Sequence, residues 1–179
     1  VVGDPAASAP GPDRAAAARH ARREIAEAVN ILSTRLHASA THNEVVRLHN
    51  DSDEELAIFD RLDAAARRYR DAICADDEAT AAAVHPVLAA AIADGERELA
   101  AWRRLLRRHG TTTSLSQQML ADGQMLARLR EYGLLDQADP TARDVIEALY
   151  RYVAKTPSRL VAASLVDAVG DKRPQNLPG

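Results

Sequence analysis

The chain has 179 residues, which is long enough for one domain with its own hydrophobic core. Hydrophobic residues make up 46% of it, many of them alanine, while aromatic residues contribute only 3%. This composition favours helix over strand. The net charge of −3 gives no general electrostatic attraction to nucleic acid or to an anionic membrane, so neither is an expected partner.

Cysteine usage and hydropathy bear on the cellular compartment in which the protein is expected. Cys74 is the single cysteine, so no disulfide can form within the chain, and a reducing, cytoplasmic compartment is the simpler expectation. No apolar run approaches the roughly 18 residues that a bilayer span needs. The start, VVGDPAASAPGP, lacks a basic region followed by an apolar stretch, so it predicts an excised fragment or a processed start rather than a signal peptide.

The first half of the chain predicts a linker and two helices. Residues 1–12 are rich in Pro, Ala, Gly and Ser, which predicts a flexible linker, and Asp13 is a candidate N-cap for the first helix. A stretch that is less regular, 39–50, precedes a capping box made by Ser52 and Glu55. The buried faces predicted for the two helices are Ile25, Ala28, Val29, Leu32 and Leu36, then Leu56, Phe59, Leu62, Ala66, Tyr69 and Ile73. The other side of the first helix, interpreted as a solvated face, carries Arg19, Arg22, Arg23 and Glu27.

Three more helices are predicted over 76–155. The third begins near Asp76–Glu78, and Pro86 either kinks it or marks its true start. The fourth begins at Ser114 and stops at Gly133, a residue that favours the left-handed conformation of a helix C-cap. The fifth opens at Asp139-Pro140. The buried faces predicted here are Val87, Leu88, Ile92, Leu99, Trp102, Leu105 and Leu106; Met119, Leu120, Leu126 and Leu129; and Val145, Ile146, Leu149, Tyr150 and Val153.

The last 24 residues break the helical pattern. Thr156-Pro157 ends the fifth helix, and the apolar run 160–166 lies between helix breakers. A run of that length predicts a strand buried on both faces, with a buried helical turn as the alternative. The predicted fold class is therefore mainly α, with amphipathic helices packed as a bundle over 13–155. One short strand-like segment at 160–166 and a Pro/Gly loop complete the region 156–179.

Motifs for metal or nucleophilic chemistry are not found in the sequence. A di-iron bundle needs Glu-x-x-His pairs, and no histidine has a glutamate three residues before it. His20 and Glu24 lie one turn apart, a spacing that arises often by chance. There is no zinc helix, phosphate-binding glycine loop or nucleophile elbow, so no metal or cofactor is expected. The basic runs 67–70 and 103–108 could contact phosphate, but solvated helix faces are the favoured interpretation.

Four blocks near the C-terminus carry a family resemblance. They are Ala148-Leu149-Tyr150-Arg151-Tyr152, Thr156-Pro157-Ser158-Arg159-Leu160, Asp167-Ala168-Val169-Gly170-Asp171 and Asn176-x-Pro178-Gly179. With this order and spacing, residues 146–179 closely resemble the C-terminal part of the 4-alpha-glucanotransferases, or amylomaltases. A weaker resemblance extends back through 127–135 to about residue 100. Residues 1 to about 95 have no counterpart in that family.

The resemblance implies a (β/α)8 barrel enzyme that transfers α-1,4-glucan segments between malto-oligosaccharides by a retaining mechanism. The run 160–166 would be a late barrel strand, and Asn176, Pro178 and Gly179 would lie in a loop close to the substrate. Retaining chemistry needs two carboxyl groups. The family's nucleophile motif (Arg-x-Asp-His) and acid/base motif (Gly-Glu-Asp-Leu-Gly) do not occur in the sequence, and no catalytic residue is assigned. The chain alone is expected to be inactive.

Three hypotheses from different classes remain. The first is a part or divergent relative of a 4-alpha-glucanotransferase, acting with the remainder of a larger enzyme. The second is an independent helical module for protein interaction or regulation, with self-association through its helices. The third, ranked last, is a metal-binding helical bundle.

Overall fold

A computed structural model describes residues 11–42, 53–109, 114–138 and 140–155. They are almost wholly helical, which confirms the mainly α prediction. The strand-like segment 160–166 and the linker residues 1–10 lie outside the described residues. The elements are α1 Pro12–His42, α2 Asp53–Cys74, α3 Glu78–His109, α4 Ser114–Glu131, a 3-10 turn Pro140–Ala142, and α5 Arg143–Lys155.

Helix α1 lies at the centre of the bundle. It packs against α2, α4, α5 and the 3-10 turn, while α3 packs against α2 and α4. Its buried face alternates alanines with larger aliphatic residues, and the short alanine side chains allow neighbouring helices to approach closely. All five residues predicted for that face are buried. The core therefore lies around α1, and α2 contacts α3 through aromatic rings such as Phe59 and Trp102, whose centroids are 5.2 Å apart.

Two helices end in left-handed caps that the local sequence specifies. Gly133 has a φ of 67°, and the amides of Gly133 and Leu134 donate to the carbonyls of Arg130 and Leu129. This pattern satisfies two carbonyls at the end of α4, and the predicted cap at Gly133 is confirmed. Asp76, with a φ of 55°, occupies the equivalent position after α2.

The next residue, Asp77, is the N-cap of α3. Its carboxylate accepts hydrogen bonds from the amide and the hydroxyl of Thr80, at 3.1 and 2.7 Å. These bonds lower the pKa of the Asp77 carboxyl below its usual value, the hydroxyl having the larger effect. A carboxylate at this position also faces the positive end of the helix dipole.

Several boundaries differ from the predictions. Helix α1 begins at Pro12, inside the predicted linker, because proline suits a first helical position where no amide hydrogen bond is lost. It also continues to His42, through part of the stretch predicted as irregular. Helix α3 begins at Glu78 and passes through Pro86, so Pro86 does not mark its start. The fifth helix opens with a 3-10 turn at Pro140–Ala142 before α-helical geometry begins.

Three side-chain predictions are wrong. Val87 and Val145, predicted to be buried, are 58% and 42% exposed. Each lies at the edge of its apolar stripe, and the neighbouring Leu88 and Ile146 face the core instead. Glu27, assigned to the solvated face of α1, is buried. Periodicity locates the centre of a buried face, but the width of that face depends on which helices cover it.

The solvated face of α1 also contributes ion pairs to the turn between α2 and α3. Arg22 Nη1 lies 2.6 Å from Glu78 Oε1, and Arg23 Nη2 lies 2.8 Å from Asp76 Oδ2. Next to this turn, the Tyr69 hydroxyl donates to the carbonyl of Leu135. These contacts join the turn between α2 and α3 to α1, and the turn after α4 to α2.

Candidate functional site

The residues that the resemblance assigns to a substrate loop, Asn176, Pro178 and Gly179, lie outside the described residues. Among the residues that the structure describes, no group of three or more His, Cys, Asp and Glu side chains comes together. His20 lies 3.9 Å from Glu24, and His37 lies 2.5 Å from Asp60. Each of these contacts joins one histidine to one carboxylate.

A different polar site lies inside the bundle. Arg35 on α1 and Asp122 on α4 form a two-pronged ion pair, with Nη2 to Oδ1 at 2.6 Å and Nε to Oδ2 at 3.1 Å. Neither side chain has any exposure to solvent. Paired hydrogen bonds of this kind match the planar guanidinium to the carboxylate, which is the strongest geometry available to the two groups.

Helix α5 completes this site. The Tyr152 hydroxyl donates to Asp122 Oδ1 at 2.7 Å, and its ring lies beside the Arg35 guanidinium, 5.6 Å from centroid to Cζ. Arg35 Nη1 donates to the main-chain carbonyl of Val153 at 3.2 Å. That carbonyl is one of the last four of α5, which have no partner within the helix. Arg35, Asp122, Tyr152 and the Val153 carbonyl are called the buried cluster below.

The two charged groups of the buried cluster are removed from solvent and paired with each other, which indicates a structural role. Removal from water raises the pKa of the Asp122 carboxyl, against the opposing attraction of Arg35 and the hydrogen bond from Tyr152. A substrate cannot reach the two charged groups without opening the helices, because both are fully buried. The buried cluster therefore joins three helices that are distant in sequence and fixes the end of α5. The C-terminal region starts directly after that end.

The sequence contains a signal for the buried cluster that the predictions did not use. Arg35 lies on the apolar face of α1, three residues after Leu32, and Asp122 lies three residues after Met119 on that of α4. A charge on an apolar stripe must find a partner, since an unpaired buried charge costs several kcal/mol. Opposite charges on two stripes therefore predict a buried pair.

A second feature is an apolar groove between α4 and α5, called the α4–α5 groove. Its walls come from the end of α4, the turn after it and the first half of α5. The lining residues are Met125, Arg128, Leu129, Tyr132, Leu134, Asp144, Val145, Ala148 and Leu149. Three large hydrophobic side chains are exposed in the described part of the chain, and two of them, Tyr132 and Val145, line this groove.

No helix within the described ranges is long and apolar enough to cross a membrane. Fold and site together define an all-helical bundle whose core contains a buried ion pair. The chain matches the family described as Site-specific recombinase over residues 7–166, and it belongs to that family. No solved structure matches the chain significantly.

Part of the chain is also similar to enzymes of another class. The 4-alpha-glucanotransferases of Mycobacterium bovis and Mycobacterium tuberculosis are each 56% identical to it over 55 residues. The similar stretch is 30% of this chain but only 8% of the length of those enzymes. The chain thus shares a short stretch with long carbohydrate enzymes, while most of its length matches a family with a different description. This similarity supports a relationship to 4-alpha-glucanotransferases over that stretch.

Proposed function

We propose that this chain is a helical part of a larger protein of the 4-alpha-glucanotransferase type, and that its helices hold the C-terminal region in place rather than perform chemistry. The observation that carries the proposal is the 56% identity over 55 residues with two mycobacterial enzymes of that name. Identity at that level over a continuous stretch is expected from common descent. The ligand of the complete protein would be a malto-oligosaccharide.

The buried cluster supports this role for the helices. Arg35 donates to the carbonyl of Val153, two residues before α5 ends at Lys155. The helical region 13–155 would then fix where the region 156–179 begins. In that region, Asn176, Pro178 and Gly179 would contact the glucan. The carboxyl groups that retaining chemistry needs would come from elsewhere in the larger protein, because the motifs that carry them do not occur in this sequence.

A chimera tests the proposal. The matching 55 residues of the Mycobacterium tuberculosis enzyme are replaced by those of this chain, and glucose release from maltotriose is measured. We expect transfer activity to persist. The control replaces the same stretch with 55 residues taken from α2 and α3, which should abolish transfer. A chimera that unfolds cooperatively but makes no glucose would contradict the proposal.

The proposed substrate loop has its own test in the active chimera. Asn176→Ala should lower kcat/KM for maltotriose about tenfold, the effect of one lost hydrogen bond of roughly 1.4 kcal/mol. Gln175→Ala, next to it and outside the matched block, is the control and should have little effect. Equal effects of the two substitutions would exclude Asn176 from the loop's contacts with glucan.

A second candidate function, strand exchange on DNA, follows from the description of the family. One feature favours it: Arg104, Arg107 and Arg108 are exposed near the end of α3. The net charge of −3 weighs against it, since DNA binding depends mainly on neutralising phosphates. Binding to a DNA duplex that weakens steeply with salt, and that is lost in the Arg104→Gln, Arg107→Gln, Arg108→Gln variant, would favour this function. Arg143→Gln, at another exposed arginine, is the control.

A further inference from the structure

We propose that α5 is a hinged lid over the Arg35–Asp122 pair, which opens as one unit about the 3-10 turn Pro140–Ala142 and exposes the pair to water. The proposal concerns this chain as it stands and does not depend on which function above is correct. It begins with how α5 is attached. Within the described ranges α5 packs mainly against α1 and the 3-10 turn, and the α4–α5 groove separates its first half from the end of α4. An element with few packing partners can open while the rest of the fold stays closed.

The hinge is defined by a turn that is fixed to the bundle on one side. The Tyr69 hydroxyl donates to the carbonyl of Leu135, and His85 Nε2 lies 2.5 Å from Asp136 Oδ1. These contacts hold the turn after α4 against α2 and α3. The 3-10 turn that follows begins at Pro140, which has no amide hydrogen to donate, and 3-10 geometry gives weaker hydrogen bonds than an α-helix. The chain can therefore bend at the 3-10 turn while the preceding turn stays in place.

Helix α5 covers the ion pair with residues of its last two turns. The Tyr152 hydroxyl donates to Asp122 Oδ1, and the Val153 carbonyl accepts from Arg35 Nη1. Because Arg35 and Asp122 belong to α1 and α4, they keep each other as partners when α5 leaves. Opening thus breaks two hydrogen bonds of the buried cluster and leaves no charge of the pair without its counter-ion.

Hydration of the ion pair favours the open state. Removing two charges from water is unfavourable, and part of that free energy is recovered when water reaches the pair again. The Tyr152 hydroxyl and the Val153 carbonyl exchange their lost bonds for bonds to water. Opening is opposed by the apolar surface that Ile146, Leu149 and Tyr150 bury in the closed bundle. The ion pair therefore makes α5 easier to open than it would be on an apolar surface of the same size.

Hydrogen exchange of the full chain under native conditions tests the proposal. We expect the amides of α5 to share one opening equilibrium and to be protected at least about tenfold less than those of α2. Tyr152→Phe removes a hydrogen bond that holds α5 and leaves the ion pair intact, so it should speed exchange throughout α5 about tenfold and leave α2 unchanged. Tyr132→Phe removes the same hydroxyl from an exposed ring and is the control. Both variants should keep their helical circular dichroism.

Two results of this experiment would overturn the proposal. Equal protection of α5 and α2 would mean that α5 opens only when the whole bundle unfolds. Protection that falls steadily from Arg143 towards Lys155 would mean that the helix frays from its end rather than opening as one unit.

A second measurement follows the ion pair itself. An arginine-specific dicarbonyl reagent should modify Arg35 only when α5 is open, because that side chain has no exposure in the closed bundle. The rate of modification at Arg35, read by peptide mass spectrometry, should rise about tenfold in Tyr152→Phe and stay unchanged in Tyr132→Phe. An unchanged rate at Arg35 in Tyr152→Phe would contradict a lid over the pair.

Discussion

Arg35 and Asp122 are 87 residues apart in sequence, yet they form an ion pair that is closed to solvent and shared by α1 and α4. Burying two charges costs several kcal/mol each, and this cost is offset only when geometry is good and the remaining donors are satisfied. Here Val153 accepts one further hydrogen bond from Arg35, and Tyr152 donates one to Asp122. The pair therefore specifies which faces of the three helices meet.

Asp122→Asn should strongly destabilise the fold. The amide keeps the shape of the side chain but leaves the Arg35 charge buried without its counter-ion, so we expect the free energy of unfolding to fall by about 3–5 kcal/mol. Denaturant titration followed by circular dichroism measures this change. Arg143→Ala removes an exposed ion pair with Glu147 and serves as the control, with an effect within about 0.5 kcal/mol. Similar losses in both variants would show that burial of the pair has little energetic consequence.

Replacing both Arg35 and Asp122 should destabilise the fold less than replacing Asp122 alone. In the double variant Arg35→Met with Asp122→Leu, no charge remains to be desolvated, and apolar side chains fill a similar volume. We expect its free energy of unfolding to exceed that of Asp122→Asn by about 2 kcal/mol or more. The same denaturant titration measures the free energy of unfolding of both variants. A double variant less stable than the single one would mean that the hydrogen bonds lost by the Tyr152 hydroxyl and the Val153 carbonyl dominate the energetics.

The fold should lose stability above about pH 10 because of its buried tyrosines. Burial raises the pKa of Tyr150, with a further contribution from its hydrogen bond to Glu24, and burial likewise raises the pKa of Tyr69. In the unfolded chain these phenols ionise near pH 10, while in the fold they stay neutral, so the unfolded state binds fewer protons. Stability is thus fully present below pH 10 and is lost as the pH rises from there towards the raised pKa values of the folded state.

Tyr150→Phe removes the ionisable hydroxyl of one buried tyrosine, and with it that residue's contribution to the loss of stability at high pH. Unfolding midpoints measured between pH 9 and pH 11.5 should fall less steeply in this variant than in the unchanged protein. Tyr132→Phe is the matched control, because that ring is exposed and the same atoms are removed. If both variants show the slope of the unchanged protein, ionisation of Tyr150 does not contribute to alkaline unfolding.

Two glycines should respond in opposite directions to replacement by alanine. Gly133 has a φ of 67° with open space around its Cα, so Gly133→Ala introduces backbone strain without a clash and should cost about 1 kcal/mol. Gly95 lies within α3, where an added Cβ would be 3.6 Å from Leu62 Cδ2, an ordinary contact. Gly95→Ala should stabilise by about 0.5–1 kcal/mol. Thermal unfolding of both variants checks the signs, and a stabilising Gly133→Ala would contradict the left-handed cap.

The helical class, the approximate extents of the helices and most of the core could be predicted from the amino-acid sequence. These depend on neighbours three or four residues apart, so periodicity and capping signals suffice, as at Gly133. Family membership and the similarity to glucanotransferases likewise came from sequence. The function of the region 156–179 stays a prediction, and its residues lie outside those described.

The faces along which the helices meet could not be predicted and are known from the folded structure alone. Val87 and Val145 belong to apolar stripes that the bundle leaves partly uncovered, and their exposure depends on the positions of other helices. Arg35 and Asp122 are buried for the same kind of reason. Each charge lies on the apolar face of its own helix, and its burial is explained only by the partner on the other helix. Burial and pairing are properties of contacts between distant segments, and local patterns do not contain the distances that define them.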